Sequence, residues 1–153
     1  MTPVDRAQAA TPLDLALIRE IAEELKPLDG ALLPILHAIN DRFGYVDERA
    51  VPVVAEALSL SRAEVHGVVT FYHDFRRAPP GRHVVKLCRA EACQSVGADK
   101  LFAEVEAACG DDGKVTVEPV FCLGNCALGP AALIDGNLHG RIDCAAVRDL
   151  VRS

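Results

Sequence analysis

Apolar residues recur every three or four positions through the first half of the chain, and the spacing tightens to short continuous runs in the second. Thr11-Pro12-Leu-Asp14 offers a cap, a proline for the first helical position and an acid for the third. The helix it opens would carry Leu15, Ile18, Ala22 and Leu25 on one face. A second helix is predicted after Asp29-Gly30, with Leu32, Ile35, Leu36, Ile39 and Phe43 as its stripe. Pro34 fits there only because it falls in the first turn, and Gly44 is placed to end the helix. Asp47 can cap a third helix running to Leu58, and Ser61-Arg-Ala-Glu64 is a capping box for a fourth bearing Val65, Val68 and Val69.

Arg77-Ala-Pro79-Pro80-Gly81 interrupts this pattern, because two prolines and a glycine cannot continue a helix. The expected organisation is therefore a helical bundle over residues 1–80 and a second domain over 81–153. In the second domain the pattern predicts a strand over 83–87, a helix from about Ser95 to Cys109 and a strand over 114–120. The helix would bury Ala98, Leu101, Phe102, Val105 and Cys109, with Gly110 as its stop. Ala131–Asp135 and Asn137–Arg141 read as a hairpin turning at Asp135-Gly136, followed by a last helix capped by Asp143. The order β-α-β-β-β-α belongs to a small α/β domain with a mixed sheet, so the chain as a whole is α+β.

Four cysteines change this picture from architecture to chemistry. Cys88-x4-Cys93 and Cys122-x3-Cys126 each lie just past a predicted strand, so adjacent strand ends could bring both loops over one centre. Four thiolates from two loops are what an iron-sulfur cluster requires. Zinc also takes sulfur ligands, but its paired-cysteine sites favour the shorter C-x2-C knuckle, which neither pair has. Gly97, Gly124 and Gly129 would let backbone approach a cluster, or simply make turns. Lys86 and Arg89 could offset its negative charge, or simply be solvated. Cys109 falls on an apolar helix face and Cys144 at a helix start, and both are expected to be spectators. His37, His66, His73, His83 and His139 show no metal spacing, although His66 and His73 could share a helix face; neither cysteine loop contains a histidine.

Composition narrows the function classes. The 153 residues are half hydrophobic with a net charge of −6, which leaves residues 1–80 at eight basic against twelve acidic and the rest at eight against ten. Neither half looks like a nucleic-acid surface. No apolar run approaches a membrane span and the start lacks the build of a signal peptide, so a cytoplasmic location is expected, with reduced rather than disulfide-bonded cysteines. No nucleophile elbow, phosphate loop or dinucleotide fingerprint is present, so no catalytic residue is assigned. Val54–His66 reads like a helix-turn-helix, and a cluster- or zinc-containing redox regulator is the rival of another class. Glu64 and the apolar Gly67-Val-Val that follow count against a DNA-reading helix.

Leu87-Cys-Arg-Ala-Glu-Ala-Cys93-Gln-Ser-Val-Gly97, Phe121-Cys-Leu-Gly-Asn-Cys-Ala-Leu-Gly-Pro-Ala131 and Gly67-Val-Val-Thr-Phe71-Tyr72 resemble the thioredoxin-like 2Fe-2S ferredoxin family. That family includes a subunit of respiratory complex I and its relatives in NAD-linked hydrogenases and formate dehydrogenases. The two cysteine loops are most similar to those of the gamma subunit of soluble, molybdenum-containing, NAD-dependent formate dehydrogenase. The resemblance implies a thioredoxin-like second domain and one 2Fe-2S cluster held by Cys88, Cys93, Cys122 and Cys126. It further implies electron exchange with the FMN of a partner subunit that binds NADH, and a molybdenum cofactor and further iron-sulfur clusters on other subunits. The helical half is expected to dock, without membrane insertion.

Overall fold

The computed structural model describes residues 13–110 and 113–152, and the chain divides into two compact units between Pro80 and Gly81. The first contains α1 (Leu15–Leu25), α2 (Leu32–Phe43), α3 (Ala50–Leu58) and α4 (Arg62–Phe71). Thr11 and Pro12 lie outside the described residues, and the cap of α1 is Asp14, whose Oδ1 accepts the amides of Ala16 at 2.9 Å and Leu17 at 3.3 Å. Asp14 has extended backbone, so it precedes the helix rather than standing third within it. Leu15 is also left exposed, and α1 packs through Ile18 and Ala22 with Leu17, Ile21 and Leu25 beside them.

Pro34 falls in the first turn of α2, where an amide would have no helical partner. Gly44 ends this helix with φ 82°, and its amide closes onto the Asn40 carbonyl at 2.8 Å. Asp47 does not cap α3 directly. Its Oδ1 takes the Arg49 amide at 2.8 Å and the Arg49 guanidinium at 2.9 Å, making a turn that feeds the helix at Ala50. The hydrogen bond from the Arg49 side chain is the main reason the Asp47 carboxyl lies below the usual carboxylate range. The capping box of α4 is complete, with the Glu64 amide donating to Ser61 Oγ and the Ser61 amide to Glu64 Oε2. Ile35, Leu36, Ile39, Phe43, Val54, Val65, Val69 and Phe75 join Ile18 in one apolar core.

The second unit runs β1 (His83–Cys88), α5 (Glu91–Gln94), α6 (Ala98–Cys109), β2 (Val115–Val120), a 3-10 turn (Cys126–Leu128), β3 (Ala131–Ile134), β4 (Asn137–Gly140) and α7 (Cys144–Leu150). The sheet has the order β2-β1-β3-β4, with β1 parallel to β2 and the other pairs antiparallel. Pro119 is tolerated because β2 lies at an edge, where a missing donor can face away from the ladder. Val85 and Leu87 alternate into a core shared with Leu101 and Val105 of α6, Ile134 of β3 and Val147 of α7. The helix expected from about Ser95 to Cys109 is α6, which starts at Ala98 because Gly97 takes φ 92°, and the short α5, which the pattern did not predict, precedes it. Asp135 and Gly136 both have positive φ in the β3–β4 turn, and Asp143 caps α7 by accepting the Ala146 amide at 2.8 Å. The architecture is α+β, a helical unit followed by an α/β unit with a mixed sheet.

Candidate metal centre

Parallel pairing of β1 with β2 is what brings the cysteine loops together. Cys88 ends β1 opposite Val120, the last residue of β2, and the Arg89 amide reaches the Val120 carbonyl at 2.8 Å. The chain then winds one turn of α5, which buries Cys93 and returns its amide to the Ala90 carbonyl at 2.9 Å. Gln94 Nε2 closes this loop on the Arg89 carbonyl at 2.8 Å. Beyond β2, Cys122 takes φ 91° and Gly124 φ 74°, and Cys126 opens the 3-10 turn. Positive φ at a residue with a side chain costs on the order of 1–3 kcal/mol and has to be held by its surroundings. At Cys122 it accompanies a hydrogen bond from the Gly124 amide to Cys122 Sγ at 3.4 Å.

The four sulfurs are grouped by twos. Cys93 donates to Cys88 Sγ, and Cys126 donates to Cys122 Sγ. Across the pairs, Cys93 and Cys126 each feel the charge of Cys88, and Cys93 feels that of Cys126. Burial pushes the Cys88 thiol up. Amides of Ala90, Leu123 and Cys122, together with the Cys93 thiol, outweigh it and bring Cys88 below the ordinary thiol value. Cys93 is pushed up by burial first, then by its bond to Cys88, although the Ala131 amide donates to its sulfur. Cys126 is raised chiefly by its bond to Cys122 and by the charge there. Cys88 and Cys93 are buried, whereas Cys122 and Cys126 are exposed.

This arrangement suits one kind of centre better than another. A tetrahedral zinc site brings four ligands to about 2.3 Å from a single point. Two contacting thiol pairs, with backbone amides aimed at the sulfurs from both loops, are a donor set that a two-iron cluster could use.

The remaining sequence candidates separate clearly. Two of the three glycines approach a sulfur: a Cβ built at Gly129 would lie 3.4 Å from Cys93 Sγ, and the Gly124 amide donates to Cys122 Sγ at 3.4 Å, while Gly97 and Gly124 both meet a positive φ. Arg89 is turned to α6, with Nε 2.8 Å from Asp99 Oδ1 and its guanidinium 4.8 Å from the centre of the Phe102 ring. Cys109 and Cys144 pack in the core beneath α6 and α7, apart from the cluster of buried residues that holds Cys88 and Cys93. His66 and His73 do not share a helix, because α4 ends at Phe71. His83 pairs with Asp135 at 2.7 Å, and His37 packs on Phe75 with ring centres 5.0 Å apart. Sequence reasoning missed the amides of Ala90, Leu123 and Ala131, since any residue but proline supplies such a donor and only the loop path aims it.

The chain is similar to known proteins over most of its length. A subunit of the NADH-quinone oxidoreductase of Pseudomonas aeruginosa is 32% identical over 130 residues, covering 80% of this chain and 78% of that protein. The HndA subunit of the NADP-reducing hydrogenase of Solidesulfovibrio fructosivorans is 29% identical over 145 residues, covering 88% and 85% respectively. The crystal structure of an NAD+-reducing NiFe-hydrogenase in the air-oxidised state superposes with a TM-score of 0.64 at 27% identity over 79% of this chain. The chain spans only 22% of that hydrogenase chain. A sequence model of the thioredoxin-like 2Fe-2S ferredoxin family matches residues 18–153, and the chain belongs to this family.

Proposed function

We propose that this chain is the electron-transfer subunit of a cytoplasmic NAD-dependent formate dehydrogenase, with Cys88 and Cys93 on one iron of a 2Fe-2S cluster and Cys122 and Cys126 on the other. The observation that carries the ligand assignment is the contact of the sulfurs in these two pairs, with amides from both loops directed at Cys88. When bound, the cluster supplies reversible one-electron exchange, at a potential on the order of −400 mV for all-thiolate examples. The chain's own part is to hold four deprotonated sulfurs, to donate amides that offset their negative charge, and to keep the first pair out of water. Cys122 and Cys126 reach the surface beside the exposed Phe121, which supports electron exchange on that side.

The partner in this proposal is a flavoprotein subunit that carries FMN and binds NADH, and a separate subunit holds the molybdenum cofactor. The formate dehydrogenase assignment rests on the sequences of the two cysteine loops. The helical unit is the docking element, supported by the exposed Phe71 and Tyr72, whose rings meet edge to face at 5.1 Å. A second assignment, to the equivalent subunit of complex I or of an NAD-linked hydrogenase, is favoured by the relatives described above.

Anaerobic purification with iron and sulfide analysis tests the first step. Two irons and two sulfides, with a rhombic EPR signal appearing on dithionite reduction, are expected. One zinc in a colourless, redox-silent protein would overturn the electron-carrier assignment. Affinity isolation from the native host then tests the parent complex. Formate-dependent NADH formation by the isolated complex is expected, and activity with hydrogen or quinone instead would move the chain to the second assignment.

A further inference from the structure

Gly140 ends β4 opposite Ala131, and its backbone does not occupy the left-handed region. Conformational freedom therefore does not account for a glycine here. Space does. A Cβ at this position would lie 2.6 Å from Leu128 Cβ, 2.9 Å from the Leu128 carbonyl oxygen and 2.9 Å from Asn125 Nδ2. Two of those atoms belong to backbone or its first side-chain carbon and cannot swing aside.

The next two residues fasten the same contact. The Arg141 amide donates to the Leu128 carbonyl at 2.7 Å, and the Ile142 amide to the Pro130 carbonyl at 3.1 Å. Residues 125–130 are thus stitched to the end of β4. That segment contains Cys126. It also contains Gly129, where a Cβ would meet Val96 Cγ2 at 3.1 Å and Cys93 Sγ at 3.4 Å, and it leads into Ala131, whose amide donates to Cys93 Sγ. One end of the stitched segment holds a sulfur of the second pair while the other passes close to a sulfur of the first.

We propose that Gly140 is a positioning residue for the cluster: the absence of its side chain lets the 126–128 turn seat against β4, and this seating sets the placement of Cys126 relative to Cys93. The inference rests on the assignment of these cysteines as ligands. A side chain at position 140 displaces the turn from the outside, so it alters the cluster without touching a ligand. Hydrogen bonding to sulfur and solvent exposure tune an iron-sulfur potential, and both follow the position of this turn.

The test uses the whole chain, purified anaerobically as wild type, Gly140→Ala, Gly129→Ala and Leu138→Ala. Gly140→Ala is expected to keep two irons and two sulfides while its EPR g-values, Fe–S stretching bands in resonance Raman and midpoint potential all move beyond replicate scatter. Loss of the cluster from a Gly140→Ala chain with wild-type far-UV circular dichroism supports the same conclusion. Gly129→Ala should move these signals less, because Val96 can yield a few tenths of an ångström. Leu138→Ala, in the same strand but exposed, should leave them unchanged. Wild-type spectra and potential in Gly140→Ala overturn the proposal; if that variant does not fold, unchanged spectra in Gly129→Ala overturn it. Failure of the ligand assignment appears separately, as absent iron and sulfide in the wild type or as a wild-type spectrum from Cys126→Ser.

Discussion

Two buried thiols in one unit face different fates because of what surrounds them. Cys93 touches the Cys88 sulfur, takes the Ala131 amide and lies under Gly129. Cys109 is buried too, yet it packs among Leu101, Val105 and Val147. Cys93→Ser is therefore expected to lose the visible and EPR signals or change them severely, while Cys109→Ser keeps both. A wild-type spectrum from Cys93→Ser would remove it from the ligand set. Arg89 teaches a related lesson, since adjacency to Cys88 in sequence suggested charge compensation, but its side chain is committed to Asp99 and Phe102. A residue's neighbours along the chain say where its backbone is, not where a long side chain ends.

At the scale of elements, the helices depend on caps and on one apolar stripe each. Ser61→Ala removes both the oxygen that receives the Glu64 amide and the hydroxyl that donates to the Glu64 carboxylate. A loss of about 1 kcal/mol is expected at neutral pH, read from urea unfolding. The Ser61 hydroxyl, and then its amide, hold the Glu64 carboxyl below its ordinary value of 4.5. A lowered carboxyl stabilises above its unfolded value and loses that contribution as pH falls through the folded one. The difference between wild type and Ser61→Ala should thus narrow on acidification below about pH 4.5; a constant difference would show that the carboxylate does not take part. Leu36, wholly buried in α2, is a packing position, and Leu36→Ala should cost about 2–5 kcal/mol in the same assay.

For the whole molecule, division of labour is the central expectation: one unit carries electrons and the other holds a partner. The segment between Phe75 and Gly81 contains no helix or strand, and Arg77 is exposed within it. Brief tryptic digestion should cut first after Arg77, giving two fragments identifiable by mass spectrometry, and a first cut elsewhere would argue against independent units. If the helical unit docks, Phe71→Ala should reduce recovery of the flavoprotein on affinity isolation while iron and sulfide content stays at the wild-type level. Undiminished recovery would shift docking to the other unit.

Short-range features were legible in the residues themselves. The stripe of α2 and its stop at Gly44, the capping box at Ser61 and Glu64, the turn at Asp135-Gly136 and the paired cysteines all involve groups within about a turn of one another. Such patterns survive in sequence because neighbouring residues cannot avoid each other. The placement of β1 beside β2, the aim of the Leu123 and Ala131 amides and the contact of Gly140 with Leu128 join residues far apart along the chain, or turn on the path of a loop. They follow from strand pairing and close packing, which no local pattern encodes. The spacing of the cysteines suggested which sulfurs belong together, but only the folded sheet decided that the two loops meet and which amides reach them.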